Sequence, residues 1–104
     1  MAELCRGKQN RVIRSFANRE TKRLFQHYYT RRLPAELQRV ALRKLIQINA
    51  AASLDFLRVP PGNRLEALRG DRAGQYSIRI NDKWRVCFEW RNGDAYGVEI
   101  TDYH

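Results

Sequence analysis

Residues 74–100 read GQYSIRINDKWRVCFEWRNGDAYGVEI, and the period of two in this stretch decides the fold. Tyr76, Ile78 and Ile80 alternate with Gln75, Ser77 and Arg79, and Asn81-Asp82 interrupts the run. Trp84, Val86, Phe88 and Trp90 then alternate with Arg85, Cys87 and Glu89, and Tyr96, Val98 and Ile100 finish the pattern. Alternate side chains of a strand share a face, so each run has one apolar and one polar side. Asn92-Gly93 suits a type I′ turn, whose two central residues both take positive φ. These are consecutive antiparallel strands with an apolar face that needs cover.

The cover lies upstream. Leu37, Ala41, Leu45, Ile48 and Ala52, with Val40 beside them, follow helical spacing, and Glu36, Arg39, Arg43 and Gln47 hold the opposite side. Pro34 suits the first turn of that helix. Before it, Asn18 offers an N-cap, and Arg19 to Tyr28 place Leu24, Phe25 and Tyr28 on one stripe, with His27 inside the helix. Val12 to Phe16 and Arg64 to Leu68 read as short strands, and Arg69-Gly70-Asp71-Arg72 as a turn. The sequence therefore predicts an α+β fold: strand, two helices, then about four antiparallel strands, with the helices on one face of the sheet. Residues 1–11 read as a polar leader, and 12–104 as a single domain. The uncovered face should carry Gln75, Ser77, Arg79, Arg85, Glu89 and Glu99, with cross-strand pairs such as Arg85 to Glu99.

Twenty Lys and Arg against eleven Asp and Glu leave a net charge of +9 on 104 residues. Such an excess favours polyanionic partners through phosphate neutralisation, and most of the cations are Arg, whose planar fork suits phosphate. No apolar run approaches the length that spans a bilayer and no secretory pattern opens the chain, which points to a cytoplasmic protein without membrane contact. Cys5 and Cys87 make no framework and read as reduced thiols.

His27 and His104 have no carboxylate cluster around them, and no phosphate-binding loop, nucleophile elbow or dinucleotide fingerprint is present. Chemistry that needs neither metal nor cofactor remains. RNA cleavage through the substrate's own 2′-hydroxyl needs a base, an acid and cations on the phosphorane. His104 has the side chain suited to proton transfer near neutrality, with Asp102 two residues before it. On the residues alone, the chain end reads first as a frayed tail, and the sheet face as an ordinary solvated surface.

The segment PPGNRLEALRGDRAGQYSIRINDKWRVCFEW, with GVEITDYH at the terminus, resembles the HigB branch of the RelE-like toxins. The likeness runs from about Val12 to His104 and is dense from Pro60 onward. It implies a ribosome-dependent endoribonuclease that cleaves mRNA without metal or cofactor. It also implies a HigA-type helix-turn-helix antitoxin and operator DNA bound only through their complex. On this resemblance Arg85 and Arg69 would stabilise the scissile phosphate, His104 would act as base or acid, and Asp102 would orient it. Tyr103 would stack on or position a base, and Arg79, Arg72, Arg64 and Lys83 would bind RNA. Where some relatives carry Lys and His, this chain has Arg69 and Glu66. Arg cannot give up a proton at useful pH, so Arg69 supplies charge only. Glu66 is then either a substitute base or an exposed strand carboxylate. The competing expectation is a non-cleaving module of the same fold that docks on the ribosome or RNA.

Overall fold

The computed structural model describes residues 12–31 and 33–102; the leader, Tyr103 and His104 lie outside the described residues. Two helices, α1 (Arg19–Phe25) and α2 (Ala35–Ala50), precede four strands, β1 (Glu66–Ala67), β2 (Gln75–Arg79), β3 (Trp84–Arg91) and β4 (Asp94–Asp102). The strands form one sheet in chain order, each pair antiparallel, and the α+β expectation holds.

The strongest local signals behave as the physics requires. Asn92 has φ 50° and Gly93 φ 83°, the pair of positive values that joins β3 to β4 in a tight hairpin. The Asn18 side chain accepts the Thr21 N–H at 2.8 Å and starts α1. Ala41, Leu45 and Ile48 of α2 are fully buried against Ile78, Val86, Phe88 and Val98 of the sheet. Truncating a buried ring such as Phe88 to Ala removes about 3–5 kcal/mol, which ranks this layer contact as the anchor of the fold.

Several boundaries differ from expectation. Residues 12–16 make two isolated parallel bridges to β4, Ile13 with Ala95 and Phe16 with Val98, rather than a regular strand. Their start is fixed from α2, where Asn49 Oδ1 accepts the N–H groups of Val12 and Ile13, each at 3.0 Å. α1 ends at Phe25, and His27 follows it in the left-handed region with φ 72°, so neither His27 nor Tyr28 is helical. α2 stops before Ala52; the buried residue there is Ala51, whose backbone is already extended. β1 is two residues long because Arg64, at φ 46°, cannot continue a strand.

The alternation of β4 also slips. The two-residue turn sets Ala95 opposite Trp90 and Tyr96 opposite Glu89, and a bulge between Cys87 and Glu89 then adds one residue to β4. Tyr96 therefore lies on the uncovered face and Ala95, fully buried, takes its expected core place, while the extra residue on β4 returns Val98 and Ile100 to the core side. Gly97 sits in this irregularity with φ 58°, and its N–H donates to Ser15 Oγ at 2.8 Å.

Candidate functional site

The face of the sheet turned away from the helices carries two rows of side chains. Strand pairing aligns Glu66, Ser77, Cys87 and Glu99 across all four strands. The next row aligns Arg79, Arg85 and Thr101. Like charges directly opposite on neighbouring strands repel, so the Arg79–Arg85 pair is an arrangement that asks for anions. Each has one: Arg79 pairs with Asp82 in the β2–β3 turn, and Arg85 Nη1 stands 3.4 Å from Glu66 Oε1. Arg85 Nη1 also donates to Ser77 Oγ at 3.1 Å.

Arg85 was expected to pair with Glu99, and the register explains why it does not. Thr101 stands opposite Arg85, while Glu99 stands opposite Cys87. Glu99 instead takes Arg72, whose Nη2 lies 3.2 Å from Glu99 Oε1 and whose Nη1 donates to Gln75 Oε1 at 2.9 Å. Arg72 ends the turn Gly70–Arg72, so a loop cation is laid onto the strands. Burial pushes the Cys87 thiol above its ordinary range, with Arg72, Glu99 and Arg85 as the charges acting on it. A buried thiol held neutral is a poor nucleophile, and Cys87 reads as floor rather than chemistry.

The remaining expected residues are spread around this cluster. Arg69, exposed, lines a shallow groove at the sheet edge with Glu66, Ala67 and Leu68. Arg64 is exposed just before β1. Asp102 stands opposite Trp84, so strand alternation groups it with Ile100 rather than with Arg85 and Thr101. Its Oδ2 is 3.7 Å from Lys83 Nζ, which also lies over the Trp84 ring at 5.8 Å from the centroid. His27 belongs to the helix layer, beside Tyr28, Tyr29, Gln38 and Leu42.

Sequence reasoning passed over Ser77 as a partner of Arg85 and gave Cys87 no place, although alternation alone puts both on the uncovered face. Behind the sheet, Asn18, Glu20, Thr21, Leu24, Thr30, Leu33, Trp84 and Ile100 enclose a cavity of about 30 Å³, room for a water and not for a nucleotide. Among the described residues no three of His, Cys, Asp and Glu come together to hold a metal ion, and no helix is long and apolar enough to cross a membrane. What the face offers chemically is preorganised positive charge on partly buried arginines, suited to a phosphodiester chain.

Residues 14–104 match a family described as RelE-like toxin of type II toxin-antitoxin system HigB, and the chain belongs to it. A type II system implies an antitoxin partner. Among relatives, the chain is 42% identical over 73 residues to Toxin HigB-1 of Vibrio cholerae serotype O1, covering 70% of this chain and 77% of that one. It is 34% identical over 93 residues to Endoribonuclease HigB of Proteus vulgaris, covering 89% of this chain and all of the relative. An uncharacterized protein of Haemophilus influenzae is 36% identical over 72 residues, covering 69% of this chain and 71% of its own length.

Proposed function

We propose that the protein is an mRNA endoribonuclease that acts on the ribosome, using the 2′-hydroxyl of its substrate as nucleophile and needing neither metal nor cofactor. The observation that carries this reading is the facing pair Arg79 and Arg85 on the uncovered sheet, with Arg72 beside them. A full-length relative named an endoribonuclease supports it.

In this mechanism Arg85, aided by Arg69, takes the charge that builds on the phosphorane. Such preorganised charge is worth about 10²–10³ in rate per donor. As the 2′-oxygen bonds to phosphorus and the 5′-oxygen leaves, His104 takes the hydroxyl proton or gives one to the leaving oxygen. Asp102 orients it or helps in proton transfer, and Tyr103 stacks on or positions a base. Arg79, Arg72, Arg64 and Lys83 hold the RNA backbone on either side. The partners are a HigA-type antitoxin, the ribosome and mRNA, with operator DNA met through the antitoxin complex, and the setting is the cytoplasm.

Primer extension on translated mRNA tests the reading. The wild type should leave new 5′ ends within codons, and His104→Ala and Arg85→Ala should each lose them while melting like the wild type. Stalled ribosomes without new ends would identify a non-cleaving binder. Equal cutting of naked RNA would remove the ribosome from the mechanism.

A further inference from the structure

Arg72 reaches the uncovered face from outside the strands, and the route it takes is unusual for a turn cation. Its two Nη nitrogens are held by residues on β2 and β4, Gln75 and Glu99, so the guanidinium spans β3. Beneath that span lies Cys87, which stands opposite both Glu99 and Ser77 and is fully buried although no helix among the described residues covers this face. Arg85 reaches in the other direction, over Ser77 toward Glu66.

We propose that Arg72 is a second phosphate-stabilising residue of the cleavage site, set beside Arg85 by Glu99 and Gln75 over a floor of Ser77 and Cys87. This rests on the reading that the chain cleaves RNA, and it moves Arg72 from backbone binding to the scissile phosphate. Ser77 and Cys87 are small and fully buried, so no bulky side chain fills the trough in the row between the two glutamates. Arg72 pairs with Glu99 and Arg85 with Glu66, so the two cations border the row from opposite ends. An Arg has five N–H donors, and the contacts to Gln75 and Glu99 use one on each Nη, so donors remain for an incoming phosphate. The Arg72 side chain is 36% exposed, within reach of solvent-borne RNA. Two such cations preset around one point in a fixed geometry would stabilise a doubly charged phosphorane more than its singly charged ground state. Glu99 touches no substrate in this scheme; it is a positioning residue.

Single-turnover cleavage of ribosome-bound mRNA, read beside thermal unfolding, is the test. R72A should slow the cleavage step about 10²-fold with a far smaller change in half-saturation, and R72Q, which keeps a shorter, neutral polar side chain, should match it. Millimolar guanidinium ion should restore part of the R72A rate and leave the wild-type rate unchanged, a response that a turn-pinning role would not give. E99Q should slow cleavage less than R72A, and the double variant should be no slower than R72A, because Glu99 acts through Arg72. R72A and R72Q cleaving within threefold of the wild type, or losing rate only as they lose thermal stability and without rescue, would overturn the proposal. A wild type that leaves no new 5′ ends would overturn the nuclease reading itself, a separate and recognisable outcome.

Discussion

The Glu66 carboxylate stands 3.4 Å from Arg85 Nη1, so the guanidinium assigned to the scissile phosphate already holds an anion. The Glu66 side chain is half exposed while that of Arg85 is 17% exposed, so solvent screens the carboxylate end of the pair and an RNA phosphate can take its place. Glu66→Gln keeps the shape and removes the competitor. It should tighten RNA binding by up to about fivefold and leave the cleavage step within about threefold. If Glu66 were the base, the same substitution would cost about 10²–10⁴ in rate and remove one limb of the pH–rate profile. Rates of this variant across pH 5–9 separate the two roles.

Arg79 and Arg85 face each other in the register yet should fail differently. Arg79→Ala removes a backbone contact, so half-saturation should rise and the salt dependence of binding should flatten by about 0.7 in log–log slope, as for one phosphate of a single strand. Arg85→Ala should lower the cleavage step by about 10²–10³ with a smaller effect on binding. Titrating binding and single-turnover rate at several salt concentrations distinguishes them. Equal losses in the cleavage step from both substitutions would remove the division of labour.

How much of this was legible in the sequence follows from where local rules operate. The β2–β3–β4 alternation and the Asn92-Gly93 turn were readable because side-chain period and turn chemistry are local. The Arg85–Glu99 expectation failed because register is set by the turn and by the bulge near Gly97, which no alternation rule counts. Gln38 and Lys44 of α2, polar residues outside its apolar stripe, are buried. Gln38 closes the loop between the helices by donating to the carbonyls of Thr30 and Leu33 at 2.6 and 2.9 Å. Lys44 donates to Asn63 Oδ1, and Asn63, fully buried, donates in turn to Gln47 and to the Leu57 carbonyl. Buried polar residues satisfied by distant partners carry no signature in a single sequence. The site was half legible for the same reason: alternation put Arg79 and Arg85 on one face, but nothing local showed that Arg72 would be drawn across to Glu99.

Cys87 gives a pH prediction. Burial raises its thiol above the unfolded value, with Arg72, Glu99 and Arg85 as lesser influences. As pH climbs through the unfolded thiol's range, about 8.5, the unfolded chain loses its proton first, so stability falls until the folded thiol also ionises. In a Cys5→Ser chain, Cys87 should resist a disulfide reagent at pH 8 in the native state and react only as denaturant opens the fold. Its unfolding free energy should drop between pH 8 and 10 by more than that of the Cys5→Ser/Cys87→Ser chain. Fast native labelling at pH 8 would contradict a sealed thiol under the trough.

Asn49 ties the first described residues to the sheet, and its loss should loosen that edge while sparing the arginines. Its Oδ1 accepts from Val12 and Ile13 at 3.0 Å each, and the segment so held exchanges backbone hydrogen bonds with β4, including Ala95 N–H to the Val12 carbonyl at 2.9 Å and Val98 N–H to the Ser15 carbonyl at 3.0 Å. Asn49→Ala leaves two N–H groups without their acceptor, a cost of about 1–3 kcal/mol. For a chain of this size that lowers Tm by about 4–8 °C per kcal/mol. Asn49→Asp keeps acceptor oxygens at the same place and should lose less. Hydrogen exchange supplies the local check: the Ala95 and Val98 amides should exchange faster in Asn49→Ala, whereas those of β2 and β3, which present Arg79 and Arg85, should keep their protection. Unchanged protection at Ala95 and Val98 would mean that the segment is held by the Ile13 and Phe16 contacts with the core, and that Asn49 contributes only to the end of α2.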